Sequence, residues 1–447
     1  MPWYDHISYY RLQIPPSLAE CEAIGRYSHR IRELEISDQF SLWFLQSTSF
    51  RPLSLPNLRL LKWDTTRFEL YNIIYIQPLL GPSLIALDAI MEGDNDATLL
   101  SFLQNYPLLC PNLGSVKLDI TRTHGMRNDP DTFIHAMSMA IANHKNLECL
   151  VLTTPTDDVV LEQLLMSPTL KVLSLTGRAG SQDLFLNDIS IPPNNIPLRN
   201  VRDLLLAISD LSVITSLLRP HDQVFRTICL HVSLPPMHEV VQEFSTALAT
   251  HQREDSLQSI VLDHLNNSPG GALGRSDVMR AIGHRYCLSF DAFRPLMSLG
   301  CLRELVIHLL NGISLDDDEL AMMAGSWPLL EVLKLAPLVS RWGAWPMAKS
   351  ATFSGLLTLL TSCPKLRELD LPLDAREVPG NTPSNPCNTV IKSLHLSGRP
   401  ISDPDRVTRF LLKHLPSVSS VVGSYDPTEY SDLWKQVDAN LRGWTGR

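Results

Sequence analysis

Long apolar runs are missing from this 447-residue chain, and none approaches the roughly 18 residues that a membrane-spanning helix requires. Paired cysteines are missing too: the eight stand at 21, 110, 149, 229, 287, 301, 363 and 387, with no CxxC among them. That spacing excludes a paired-cysteine zinc site and reads as reduced, mostly buried thiols. The opening Met1-Pro2-Trp3-Tyr4-Asp5 lacks the basic start and apolar core of a signal peptide. The sequon at Asn266-Asn267-Ser268 is therefore expected to stay unmodified, and the expected compartment is cytoplasmic or nuclear. Basic residues are outnumbered, giving a net charge of −9 and a pI near 5.9, which argues against nucleic acid or an anionic membrane as partner. There is no phosphate-cradling glycine-rich loop, no HExxH and no GxSxG. No cofactor, metal or catalytic residue is thus expected, and the chain does not read as an enzyme.

What the chain has is repetition. With 44% apolar and 19% charged residues, it has the material for a large core. An apolar residue, two variable, an apolar, one variable and an apolar recur along nearly its whole length. Leu113-Gly114-Ser115-Val116-Lys117-Leu118, Leu147-Glu148-Cys149-Leu150-Val151-Leu152 and Leu366-Arg367-Glu368-Leu369-Asp370-Leu371 are clear copies. The fourth positions fall at 34, 61, 87, 116, 150, 173, 204, 228, 260, 305, 333, 369, 394 and 421, a mean step of about 30 residues. One copy would be unremarkable in an apolar chain; fourteen in succession are a repeat.

The spacing has a physical reading. In a short strand, positions four and six face one way and positions three, five and seven the other. The buried side becomes a ladder of Leu, Ile and Val, each contributing roughly 1.5–3 kcal/mol when covered. A single repeat cannot cover its own ladder, so its neighbours must. Pro56, Pro82, Pro111, Pro168, Pro328, Pro364 and Pro416 sit just before strands, where a missing donor costs no ladder bond. Helical spacing is found at 96–106, 131–143, 157–166, 236–250 and 403–414, several of these stretches opening on Asp. The expected fold is α/β: a leucine-rich-repeat right-handed solenoid, or horseshoe, of about fourteen strand-helix repeats. Residues 1–30 are expected as an N-terminal cap, 31–426 as the solenoid and 427–447 as a C-terminal capping helix with Tyr430, Leu433, Trp434 and Val437 on one face. Two interruptions stand out. The stretch between Ile260 and Leu305 reads as a loop followed by a helix from Ser276 to about Leu299, and 377–388 reads as a polar loop.

Cys363-Pro364-Lys365-Leu366-Arg367-Glu368-Leu369-Asp370-Leu371 and Cys110-Pro111-Asn112-Leu113 resemble the repeats of F-box/leucine-rich-repeat proteins. The segment from Glu22 to Leu34 is similar to the stretch just after the F-box in a large group from mushroom-forming fungi, and the resemblance covers about residues 15–425. It implies a substrate-receptor-like relative of cullin ubiquitin ligase F-box proteins, whose repeats hold a protein target. An F-box opens with a Leu-Pro-x-Glu pattern over about 40–50 residues. None is found here, and residues 1–20 are too short to hold one. A ligase adaptor is therefore expected as partner only if a missing F-box exists. The alternative from another class is a horseshoe-type regulator or inhibitor of an enzyme, such as a GTPase-activating module.

Strand phase names the candidate residues. The fifth-position column reads Val151, Ser174, Leu205, Cys229, Val261 and Val306 in the middle repeats, bordered by Lys62, Asp88 and Lys117 on one side and Lys334, Asp370 and His395 on the other. An apolar centre with charged borders suits a protein-binding concave face, although strand interiors favour Val and Leu in any case. The seventh-position column places His231, Asp263 and His308 on consecutive strands. These three are solvated or partner-facing groups, or else a metal or acid/base cluster such as a hydrolase built on loops would need. Asp316-Asp317-Asp318-Glu319 reads as a solvated helix start rather than a cation site. His284 near Cys287 reads as part of a packed helix. Trp342 and Trp345 are either interface anchors or packed beneath their loop.

Overall fold

The structure is a computed structural model that describes residues 25–37, 55–64, 75–93, 96–122, 130–153, 158–176, 198–208, 210–218, 224–233, 235–251, 256–264, 287–309, 312–335, 349–380, 387–396, 400–422 and 430–445. The chain is an α/β leucine-rich-repeat solenoid divided into two compact units, Met1–Gly177 and Arg178–Arg447. In the first unit, β1 (Glu33–Ile36), β2 (Leu60–Asp64), β3 (Ala86–Gly93), β4 (Ser115–Arg122), β5 (Cys149–Leu152) and β6 (Val172–Leu175) form one parallel ladder in chain order. Helices α1 (Asp96–Leu109), α2 (Pro130–Ala142) and α3 (Asp158–Leu165) connect its later strands and pack on one another in sequence.

The second unit repeats the plan. Its ladder runs β7 (Asp203–Ile208), β8 (Thr227–Val232), β9 (Ser259–His264), then, past β10 (Leu288–Ser289), β11 (Glu304–His308). Beyond β12 (Ile313–Ser314) it continues with β13 (Val332–Lys334), and beyond β14 (Ala351–Thr352) with β15 (Glu368–Asp370). After β16 (Leu373–Asp374) it closes with β17 (Ser393–His395) and β18 (Ser420–Val422). The helices of this unit among the described residues are α4 (Leu211–Leu218), α5 (His238–His251), α6 (Asp317–Ser326), α7 (Phe353–Ser362), α8 (Pro404–His414) and α9 (Ser431–Thr445).

Register follows the repeat. In the first unit Leu34, Leu61, Leu87, Val116, Leu150 and Leu173 are successive ladder partners. In the second, Leu204, Ile228, Ile260, Leu305, Leu333, Leu369, Leu394 and Val421 are. These fourth positions are buried, apart from half-buried Leu34 on the first strand. A one-residue slip would turn the whole row outward, so burial pins the register. Most of the prolyl turns share one device. The amide of the first apolar residue donates back across the proline, as from Leu58 to Leu55, Leu84 to Gly81, Leu330 to Trp327 and Val418 to Leu415, at 3.0–3.1 Å. Proline thus occupies the second position of a tight turn, which its fixed φ favours.

Three features depart from the sequence reading. The stretch expected as a helix up to Leu299 is, from residue 287 on, the short strand β10 followed by 3-10 turns at Phe290–Ala292 and Arg294–Ser298. Phe290, Phe293, Leu296 and Leu299 are buried at intervals of three, which matches three residues per turn rather than 3.6. Second, two minor parallel pairs, β10 with β12 and β14 with β16, were not foreseen. Third, Asp316-Asp317-Asp318-Glu319 begins a helix, as expected, with Asp318 exposed, but its other carboxylates are engaged by the protein. Asp316 and Glu319 form a reciprocal capping box, and Lys349 Nζ sits 2.8 and 2.9 Å from their carboxylates, where a metal cation would have to go. His284, Trp342, Trp345 and the sequon lie outside the described residues. At the chain's far end α9 buries Trp434, Val437 and Leu441 against β18 and α8, and Asp438 accepts from the Val421 amide at 2.9 Å. Among the described residues no helix is long and apolar enough to cross a membrane.

Candidate protein-binding face

Alternation along each strand leaves positions three, five and seven on the side away from the helices. In the first unit this face is charged at its start: Lys62 pairs with Glu35 at 3.4 Å and Lys117 with Asp88 at 3.7 Å, across neighbouring strands. Such exposed pairs contribute about 0–1 kcal/mol each. Val151 is half-exposed and Ser174 is buried, so the apolar column expected here is only partly accessible.

The second unit holds the rest. Leu205, Cys229, Val261, Val306, Lys334, Asp370 and His395 stand side by side as ladder partners. Val306 is buried and the others are half-buried. The seventh column also forms as expected: His231 partners Asp263, and Asp263 partners His308. The side chains nevertheless diverge. His231 Nδ1 lies 3.9 Å from Asp263 Oδ2, whereas His308 turns the other way and places Nε2 3.7 Å from Asp370 Oδ2, across β13. Among the described residues no three His, Cys, Asp or Glu side chains are grouped to hold a metal ion. Two strand steps of about 4.8 Å separate the two histidines and each faces a different carboxylate, so the three side chains are not drawn onto one point.

Cys229 on this face is not an activated nucleophile. Cys229 Sγ lies 3.8 Å from His231 Nε2, but burial, with Asp263 and Glu304 nearby, pushes the thiol up to about 11 and keeps it protonated. A second cysteine–histidine contact, Cys387 Sγ to His414 Nδ1 at 3.5 Å, belongs to the packing of α8. There the His414 ring packs tilted against Phe410, and its backbone carbonyl receives the Cys387 and Asn388 amides. Burial, followed by the Lys413 charge, holds His414 below the ordinary imidazole range. A groove of about 320 Å³ between α1 and α2, lined by Leu100, Leu103, His135 and Met139, brings no acid/base pair together.

Sequence reasoning read positions five and seven and missed position three. Glu304 and Glu368 stand there, facing the same side as Val306 and Asp370. The Ser259 hydroxyl donates to Glu304 at 2.6 Å, and Lys334 Nζ meets Glu368 at 2.8 Å, which holds that carboxyl below its usual range. The signal was available as a polar third column, Asp203, Thr227, Ser259, Glu304 and Glu368, interrupted by Val332. Asp370 carries a subtler feature. Its side chain is only 16% exposed, and its Oδ1 is buried without a hydrogen-bond partner among the described residues.

No protein-family model matches the sequence, and no curated protein matches it. Among solved structures, a chain in the crystal structure of the Rad7 and Elc1 complex in yeast is similar, with a TM-score of 0.41 and 13% identity over 80% of this chain and 81% of that one. The functional reading rests on this chain's own residues.

Proposed function

We propose that the chain is a non-catalytic interaction scaffold that holds a protein partner on the outward face of the second unit's ladder. The observation that carries this reading is the row from Leu205 to Asp370, an apolar stretch ending in charged groups, on strands whose backbones are locked by ladder bonds. A rigid face of this kind loses little entropy on docking, and apolar area beside charges suits both affinity and register. The finer reading is a substrate receptor related to the F-box proteins of cullin ubiquitin ligases. It is supported by the Cys-Pro-x-Leu repeats and depends on an adaptor-binding element.

The test is quantitative affinity purification with the full-length gene product. Wild type is compared with Val261→Arg on the face and Met139→Arg on a helix of the other unit. Partners lost in Val261→Arg and retained in Met139→Arg are what the proposal expects, and equal recovery from all three would overturn it. Cullin and its adaptor among the retained proteins would support the receptor reading; other partners alone would remove it.

A further inference from the structure

The proposed face has a sign. On β9, β11, β13 and β15 its outward columns hold Asp263, Glu304, Glu368 and Asp370 against the single lysine Lys334. That lysine is already committed to Glu368 at 2.8 Å. Arg303 and Arg367, just before their strands, are held by Glu331 at 3.0 and 3.5 Å, and Arg367 also reaches Glu368 at 3.6 Å. Two carboxylates are left with loose partners. Asp263 has His231 at 3.9 Å and Asp370 has His308 at 3.7 Å, both longer than an N–H···O hydrogen bond, and imidazole carries charge only when protonated. Asp370 Oδ1 has no donor among the described residues, so its carboxylate is poorly neutralised from within, and the 16% of the side chain that is exposed leaves an edge at which a cation from outside can add.

Resting on the reading of this face as the docking surface, we propose that the partner is a basic extended segment whose lysine or arginine side chains dock on Asp263 and Asp370. Asp263 and Asp370 lie three ladder steps and two residues of strand apart, roughly 16 Å at about 4.8 Å per step and about 3.3 Å per residue. Two basic residues about four positions apart share one face of an extended segment and span most of that distance, and their long side chains reach the rest. Residues between them cross β11 and β13 past Val306 and Lys334, and an apolar side chain beside the first basic residue meets half-buried Val261 on β9. The charge pattern disfavours an acidic segment, because only Lys334 would greet it on these columns.

The experiment is selection of a displayed twelve-residue peptide library on the full chain. Enriched peptides are then synthesised, and their affinities are measured against wild type, Asp263→Asn, Asp370→Asn and Val261→Arg. Expected are peptides with Lys or Arg about four apart around an apolar residue, weakened about tenfold by each Asn variant and further by added salt. Asp263→Lys should regain affinity for a peptide whose matching basic residue is changed to Glu, a rescue that misfolding cannot mimic. Peptides without basic residues that ignore both Asn variants but fail on Val261→Arg would overturn this proposal and leave the docking face standing. Binding indifferent to all three variants would overturn both, and the absence of any enriched peptide would overturn the basic-segment proposal.

Discussion

Asp317 grips Thr352 with both carboxylate oxygens, one 2.6 Å from the Thr352 amide and the other 2.6 Å from its hydroxyl. The first residue of α6 thereby anchors the N-cap of α7, since the Thr352 hydroxyl itself accepts from the Ser354 amide at 3.1 Å. The close approach depends on Gly355, where an added Cβ would lie 2.5 Å from Asp317 Oδ1 and 3.1 Å from the Asp317 Cα. Backbone on the far side means that a rotamer change alone cannot relieve the clash. Gly355→Ala should therefore cost about 1–3 kcal/mol despite alanine's higher helix propensity, as overpacking does. Urea unfolding checks this, and a variant at or above wild-type stability would contradict the assigned contact.

Three buried histidines make stability fall with acid. Burial holds His144, His264 and His414 below the ordinary imidazole range. With the folded pKa below the unfolded value of about 6.5, the unfolded chain binds more protons as pH drops through that value. Stability is thus intact above about pH 6.5 and declines as pH falls below it toward the folded values. Melting temperature followed from pH 7.5 to 5 should drop. The slope should lessen in His144→Phe, which keeps a ring beside Tyr106 and removes two buried nitrogens that have no hydrogen-bond partner among the described residues. At neutral pH that variant should be unchanged or more stable by about 1 kcal/mol.

The thiols of the Cys-Pro turns serve structure. Cys363 Sγ lies 3.4 Å from the Trp327 carbonyl and 3.7 Å from that of Ala324, which ties one repeat to the one before it. Burial pushes both Cys363 and Cys110 up to about 11, so neither forms thiolate at neutral pH. Alkylation of the native chain by iodoacetamide at pH 7.5, read by mass spectrometry, should leave both unmodified until the chain unfolds. Cys363→Ala should cost about 1–2 kcal/mol from the lost volume and donor.

Repeat period, strand phase and ladder register were legible because burial on one side of each strand imposes a spacing that survives substitution, as from Leu34 to Leu173 and from Leu204 to Val421. Two-residue strands such as β10 and β14 carry too few positions to show any period. The 3-10 turns at Phe290–Ala292 and Arg294–Ser298 differ from the expected helix because an apolar spacing of three lies within the range that a helix also tolerates. At the candidate face, phase alone placed His231, Asp263 and His308 correctly as neighbours. It could not say that His308 would turn toward Asp370, because side-chain direction depends on what the next strands leave open.

A row of polar side chains just before the first apolar position should behave as a one-dimensional series. Asn57 donates to the His29 carbonyl at 2.6 Å, Ser83 to Pro56 at 2.7 Å and Asn112 to Pro82 at 2.8 Å. Thr169 continues the series with the Leu147 carbonyl at 2.8 Å, and each bond reaches back one repeat. Every donor is on or near the surface, so its removal lets water replace it, and each alanine variant should cost only about 0.5–1.5 kcal/mol. The informative quantity is coupling. Because each repeat touches its neighbours alone, Ser83→Ala and Asn112→Ala, whose bonds share the turn at Pro82, should be non-additive by about 0.5 kcal/mol or more. Asn57→Ala and Thr169→Ala, several repeats apart, should add within about 0.5 kcal/mol. Double-mutant cycles by urea denaturation measure both. Equal coupling for the near and far pairs would mean that these bonds do not act locally between adjacent repeats.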